Sequence, residues 1–412
     1  ATAFLTLGDA QVGDKDVNSA YSSYRTAYDL DNSLLRAKMQ LGVITKNAKA
    51  FPEAIAAFDE VIKLNANYGP VYRELAETYY FWSTNAGDKA KREEYIKKAV
   101  DFSAKYKSLT DNSIESRMRH ADFLILAKDY QALQLEAEEM QKLDKVNPRI
   151  LRYLGYASYE NKKYDESIKA LNDFIAKADA KRVTGRDYLF LSKAKLAKAI
   201  SPEGTIADKA MFDNAMADLK KATEIDPAIG AEFSDLGVDL YKKKLYLEAI
   251  PVFAAATKAP DSPNALLDNF YLGNAVLFYV ANDLDTDEKR KDPKVQEMLK
   301  LADVAYGNVV AGSPTTQDAH LNRAKINRFI VGEEGKTNAV AAYEKYIEVV
   351  TTKGEAEMAK DSVKAGLIGA YSYIGSHYAI SDKVKAKENF EKALALDPTS
   401  QYIKESLDVL KK

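Results

Sequence analysis

The sequence predicts an all-α chain of stacked helix pairs, and three observations carry that prediction. Residues 148–177 read as two amphipathic helices folded back on each other. The first carries Leu151, Leu154, Gly155 and Ser158 on one face, and the second carries Ser167, Leu171 and Phe174 on its own. Tyr164 stands in the turn between them, and Pro148 precedes the unit. Units of this kind recur at a near-constant period along all 412 residues. Strand-type alternation of β-branched residues is scarce throughout.

The first unit, 1–34, carries Phe4, Leu7 and Gly8, breaks at Gly13-Asp14-Lys15, and resumes with Ala20, Tyr24 and Ala27. The second, 35–68, has Leu41, Gly42, Ala54 and Phe58. Its Pro52 stands in the first turn of the second helix, where a missing N–H costs little. The third, 69–107, has Tyr72, Leu75, Ala76 and Tyr79, a turn stretched near 82–90, then Ile96 and Ala99. The fourth, 112–147, keeps the spacing with poorer identities: His120, Ala121, Leu124, Tyr130, Leu133, Ala137 and Met140. The fifth is 148–181.

The sixth unit, 185–229, has Tyr188, Leu191 and Ser192, an extra turn near 199–209, then Ala215, Leu219 and Ala222. The seventh, 230–263, is clean, with Phe233, Leu236, Gly237, Leu240, Tyr246, Ala249, Phe253 and Ala256. The eighth, 266–314, has Leu272, Gly273 and Val276, the longest insertion near 281–293, then Ala302, Tyr306 and Val309. The ninth, 317–352, is degenerate, keeping Ala324, Ala339, Tyr343 and Tyr346. The tenth, 368–398, returns to type with Tyr371, Ile374, Gly375, Tyr378, Ala386, Phe390 and Ala393. A final amphipathic segment, 399–411, reads as a solvating cap. The three insertions fall in the turn within a pair and are expected to project from one edge.

Glycine or alanine at the eighth position lets the two helices of a pair approach closely. Alanines at the twentieth and twenty-seventh do the same against the next pair, and no single pair buries its apolar face alone. A large residue, then Leu-Gly, then a small–aromatic–small series resembles the tetratricopeptide repeat. The resemblance implies a single continuous superhelical solenoid (an α-α superhelix) over 1–412, of about ten helix pairs plus a C-terminal capping helix. It also implies a concave face, lined by first helices, on which peptide ligands commonly lie.

Charged residues make up 29% of the chain and hydrophobic ones 46%, as in ordered soluble proteins. The net charge of −2 is the balance of 59 basic and 61 acidic residues, which favours neither nucleic acid nor an anionic membrane as a bulk partner. No apolar run approaches the roughly 18 residues of a membrane span, so membrane insertion is not expected. The opening Ala1-Thr2-Ala3-Phe4-Leu5 has no basic lead-in, so no signal peptide is read there. Cysteine is absent, which excludes disulfides and thiol catalysis and leans towards an oxidising compartment. The 26 tyrosines suit the core positions of the repeat.

Chemistry-bearing motifs are few. His120, His320 and His377 are scattered, without a second ligand at metal-binding spacing, and read as structural or surface residues. The stretch from Gly332 to Thr337 has two residues between its glycines where a phosphate loop needs four, with Ile330 in the first glycine's place. It reads as a polar turn. Asp283, Asp285 and Asp287 alternate as in a calcium loop, but Glu288 and Lys294 occupy the positions of its obligatory glycine and bidentate glutamate. That segment reads as a solvated charged loop. Neither a catalytic triad nor a carboxylate pair can be assembled, so neither enzymatic activity nor a cofactor is expected.

What remains is the exposed face of the first helices. The carboxylate clamp of the tetratricopeptide family needs lysines and asparagines at fixed positions, where this chain offers Leu5 and Asp9, Met39 and Val43, Arg73 and Glu77, and Ser234 and Val238. Capture of chaperone tails is therefore not expected. Arg119, Arg149, Arg152, Tyr153, Tyr156, Arg186 and Lys193 do fall on the free positions. Arginine beside tyrosine suits an acidic or carboxylate-ended peptide. The competing reading is a solvated face compensated by Glu115 and Glu160. The expected function is a non-catalytic protein–protein interaction scaffold or adaptor. The cysteine-free, Tyr-, Lys- and Asn-rich composition resembles periplasmic tetratricopeptide proteins of Bacteroidota-like bacteria, which implies an envelope complex. The alternatives are a cytoplasmic co-chaperone or regulatory adaptor, and a carbohydrate- or peptide-binding module.

Overall fold

Short polar turns decide where the helices start and stop. In the computed structural model, which describes residues 1–410, five turns within pairs pass through a left-handed lysine: Lys15, Lys49, Lys128, Lys162 and Lys244, with φ of 57° to 64°. The second helix then starts at once, and Asp16 and Asp129 cap it by accepting the N–H of Ser19 and Ala132. Between pairs, the second helices end on Asp31, Asn65, Asp144, Asp226 and Asp397. Each of these side chains accepts the N–H two residues on, which reverses the chain towards the next helix.

The first compact unit, Ala1–Val183, holds five pairs. They are Thr2–Gly13 with Val17–Leu30, Leu35–Asn47 with Phe51–Leu64, Gly69–Thr84 with Lys89–Ser108, Ile114–Ala127 with Tyr130–Leu143, and Pro148–Glu160 with Tyr164–Lys177. A 3-10 turn, Ala180–Arg182, closes it. The second unit, Thr184–Lys412, holds five more. They are Gly185–Ala199 with Lys209–Ile225, Ser234–Lys242 with Tyr246–Ala256, Ala265–Phe278 with Pro293–Gly312, Gln317–Asn327 with Glu333–Lys353, and Asp361–Tyr378 with Lys383–Leu396. The last helix, Gln401–Leu410, follows; the expected cap runs to 411, which lies outside the described residues. The expectation of one continuous array over 1–412 stands beside this grouping into two compact units. The division falls where Asp179 caps a 3-10 turn instead of the chain entering another helix.

Packing within a pair turns on close approach to bare backbone. A Cβ added at Gly8, Gly42, Gly237 or Gly273 would lie 2.5–2.6 Å from the ring of Tyr24, Phe58, Phe253 or Tyr306. At Gly155 it would meet Leu171 at 2.5 Å. One large side chain of the second helix thus lies directly on the first, at interior packing density. Ala20, Ala27, Ala54, Ala137, Ala249 and Ala256 are fully buried, keeping neighbouring helices close.

The insertions do not all project. The stretch near 82–90 lengthens both helices of the third pair, and Trp82 stacks on Tyr95 with ring centroids 4.2 Å apart. The segment near 199–209 is a turn pinned by an isolated bridge between Ile200 and Ile206 and by Lys243, whose ammonium donates to the Glu203 carbonyl at 2.9 Å. The segment near 281–293 forms a π-helical turn, Tyr279–Asp283, and a short helix, Asp287–Arg290, and buries Leu284. The first helix of the tenth pair begins at Asp361, ahead of the expected 368.

Candidate interaction groove

In the first unit, ion pairs join each first helix to the next. Asp9 meets Arg36 at 2.8 Å, and Lys46 meets Glu74 at 2.6 Å and Glu77 at 3.0 Å. Glu77 meets Arg119 at 3.7 Å, and Asp122 meets Arg149 at 2.5 Å. The ladder spans all five pairs along one wall. First helices that share a wall, seated on second helices through glycine-to-ring contacts, give the helix-pair fold expected of a tetratricopeptide-type array.

The rungs differ in depth. Lys46 and Glu74 are each only 5% exposed, so this pair is out of water, with Arg73 also donating to Glu74 at 2.7 Å. Burial pushes the Glu74 carboxyl up, but Lys46 and Arg73 outweigh it, and it sits below the usual carboxylate range. The Glu77–Arg119 rung is looser and faces solvent.

Beside that loose rung, the wall opens into a cleft of about 270 Å³ between the first helices of the third and fourth pairs. Arg73, Glu77 and Tyr80 line one side, and Arg119, Asp122, Phe123 and Leu126 the other. Tyr80 and Phe123 meet edge to face at 6.3 Å, and Leu126 is exposed. Phe81, also exposed, neighbours Tyr80 with ring centroids 5.5 Å apart.

The residues singled out from sequence take different places. Arg119 stands exposed at the cleft. Arg149, also exposed, is held by Asp122, with its guanidinium 5.6 Å from the Tyr153 ring. The Arg152 guanidinium lies 4.5 Å over the Phe174 ring and donates to the Arg182 carbonyl. Tyr153 and Tyr156 were expected to be free but are buried, at 1% and 3% exposure. The Tyr153 hydroxyl reaches back to the preceding pair and donates to Asp122 at 2.7 Å, which brings its ring under the wall. Burial, with Asp122 beside it, pushes that phenol well above its ordinary range. Arg186 and Lys193 belong to the second unit, where Lys193 meets Glu232 at 2.6 Å and Arg186 lies 5.6 Å from the Phe190 ring. The carboxylates answering Arg119 and Arg149 are Glu77 and Asp122, not Glu115 or Glu160.

Sequence reasoning missed Tyr80, Phe123 and Leu126, although large apolar residues outside the packing positions were the available signal. It also missed Lys46, whose partner lies one repeat away. The histidines are structural in detail. His120 is buried with Nδ1 2.8 Å from the Ser103 hydroxyl, and burial, reinforced by Lys107, holds its pKa down to about 4. His320 Nε2 lies 2.9 Å from the Pro314 carbonyl, and His377 stands edge-on to Tyr378. Gly332, at φ 106°, leads into the helix Glu333–Lys353. Among the described residues no three His, Asp or Glu side chains are placed to hold a metal. No helix among them is long and apolar enough to cross a membrane.

No family model matches the chain, and a comparison with curated proteins finds no match. Among solved structures it is similar to the C-terminal part of a TPR repeat-containing protein from Cytophaga hutchinsonii, at 24% identity over 70% of this chain and 99% of that one, with a TM-score of 0.32. It is similar to YrrB, described as a TPR protein with an unusual peptide-binding site, at 12% identity over 50% and 92% of the two chains, with a TM-score of 0.38. Human IFIT1, solved as a dimer with PPP-AAAA, matches at 15% identity over 94% and 83%, with a TM-score of 0.30. Superpositions this loose add nothing to the geometry above.

Proposed function

We propose that the chain is a non-catalytic scaffold that holds an extended segment of a partner protein in the cleft between the third and fourth pairs. The observation that carries this reading is the make-up of that cleft. Tyr80, Phe123 and Leu126 supply apolar surface beside the 3.7 Å Glu77–Arg119 rung. A solvent-facing rung of this length contributes little to the fold, so Arg119 exchanges readily onto a ligand while Glu77 stays held by Lys46 at 3.0 Å. Buried aromatic surface then supplies affinity and the charges set register. Arg119 favours an acidic residue in the partner.

The charge balance of −2 supports a protein partner over nucleic acid, and the cysteine-free composition supports an oxidising, periplasmic setting within an envelope complex. The test is selection of a random displayed peptide library on the intact protein. Enriched peptides are expected to combine acidic and apolar residues and to bind Phe123→Ala and Arg119→Glu at least about tenfold more weakly. Binding indifferent to both substitutions contradicts the reading.

A further inference from the structure

A second cavity, of about 500 Å³, opens at the end of the first unit, lined by Arg149, Arg152, Phe174, Lys177, Asp179 and Arg182 among others. Its four cations come from three segments: the helix Pro148–Glu160, the last turn of Tyr164–Lys177, and the turn Ala180–Arg182. Arg152 is fixed in plane, stacked over Phe174 and bonded to the Arg182 carbonyl. Arg149 is engaged by Asp122. Lys177 and Arg182 are exposed, and neither side chain has an ion-pair partner among the described residues. The opposing charge in the lining is Asp179, which accepts the Lys181 N–H at 3.0 Å through one oxygen. So basic a lining stands out in a chain of net charge −2.

We propose that this cavity binds a phosphoryl-type oxyanion, either free phosphate or the phosphate of a small ester. A planar carboxylate pairs with one guanidinium fork, whereas donors converging from three segments match a tetrahedral group that accepts from several directions.

The test is calorimetric titration of the full chain at low ionic strength with inorganic phosphate, glycerol 3-phosphate and acetate. Saturable phosphate binding at one site is expected, weakened at least about tenfold in the double variant Lys177→Ala, Arg182→Ala. Asp179→Asn keeps an acceptor for the turn and removes the repulsion, so it is expected to tighten binding about threefold, a gain that misfolding does not mimic. Glycerol 3-phosphate binding more tightly than phosphate assigns the cavity to an ester, and weaker binding assigns it to the free ion. No saturable binding, binding indifferent to both variants, or acetate binding as tightly as phosphate overturns the proposal.

Discussion

Asp122 and Tyr153 join the surface of the wall to its core: the phenol, 1% exposed, donates to a carboxylate of the preceding pair at 2.7 Å. The same carboxylate holds Arg149 at 2.5 Å. Removing it and removing the arginine therefore differ in cost. Asp122→Ala leaves the buried hydroxyl with only the longer contact to the Met118 carbonyl, at 3.3 Å, and is predicted to destabilise the first unit by about 1–3 kcal/mol. Arg149→Met loses an exposed ion pair and is predicted to cost about 0–1 kcal/mol. Denaturant unfolding of the two variants measures the difference, and equal losses contradict this account of Asp122.

Lys46 is the deep rung. Its ammonium is 2.6 Å from Glu74, and both residues are buried. Lys46→Met leaves Glu74 buried with Arg73 as its remaining cation, and is predicted to cost about 3 kcal/mol. Adding Glu74→Leu is predicted to recover most of that loss, because the buried carboxylate is then gone and the partly exposed Arg73 and Glu77 can turn to water. The double variant, measured by thermal unfolding, contradicts the prediction if it is less stable than Lys46→Met.

The glycine contacts give a paired prediction. Gly42→Ala sets a methyl 2.5 Å from the Phe58 ring, so helix or ring must shift, at about 1–3 kcal/mol. Gly13→Ala meets nothing within 4 Å and is predicted to be neutral or to stabilise by up to about 1 kcal/mol through the unfolded chain. Calorimetric melting of both variants checks the sign as well as the size.

His120 makes stability depend on pH. Its pKa in the fold is about 4 against an ordinary 6.5, chiefly through burial, with Lys107 and Arg117 opposing protonation and Glu136 and Asp129 favouring it. Between those values the unfolded chain binds a proton that the folded chain does not. Stability therefore falls as pH drops through that window and levels off below it, by about 3 kcal/mol in all. His120→Gln is predicted to remove that part of the slope from unfolding free energies measured between pH 7 and pH 4.

The fold was legible because the repeat writes its closest contacts in residue type. Gly42 and Phe58, or Gly237 and Phe253, can be read as touching before any coordinates are seen. The wall was legible only in part. Position in the repeat marks a residue as facing the concave side, but whether it is exposed depends on what the preceding pair offers it. Tyr153 is buried because Asp122 lies one repeat earlier, and Lys46 because Glu74 lies one repeat later. The stretch near 82–90 was misjudged for a related reason: inserted residues that continue the helical pattern lengthen helices instead of forming a loop.

The central claim is that ligands lie against the first helices of the third and fourth pairs, and its most direct test is where a selected peptide touches the protein. A photo-reactive group placed on an enriched peptide and mapped by mass spectrometry is predicted to label Tyr80, Phe123 or Leu126. Labelling confined to second helices that do not line the cleft, such as Tyr130–Leu143 or Tyr164–Lys177, would contradict the account.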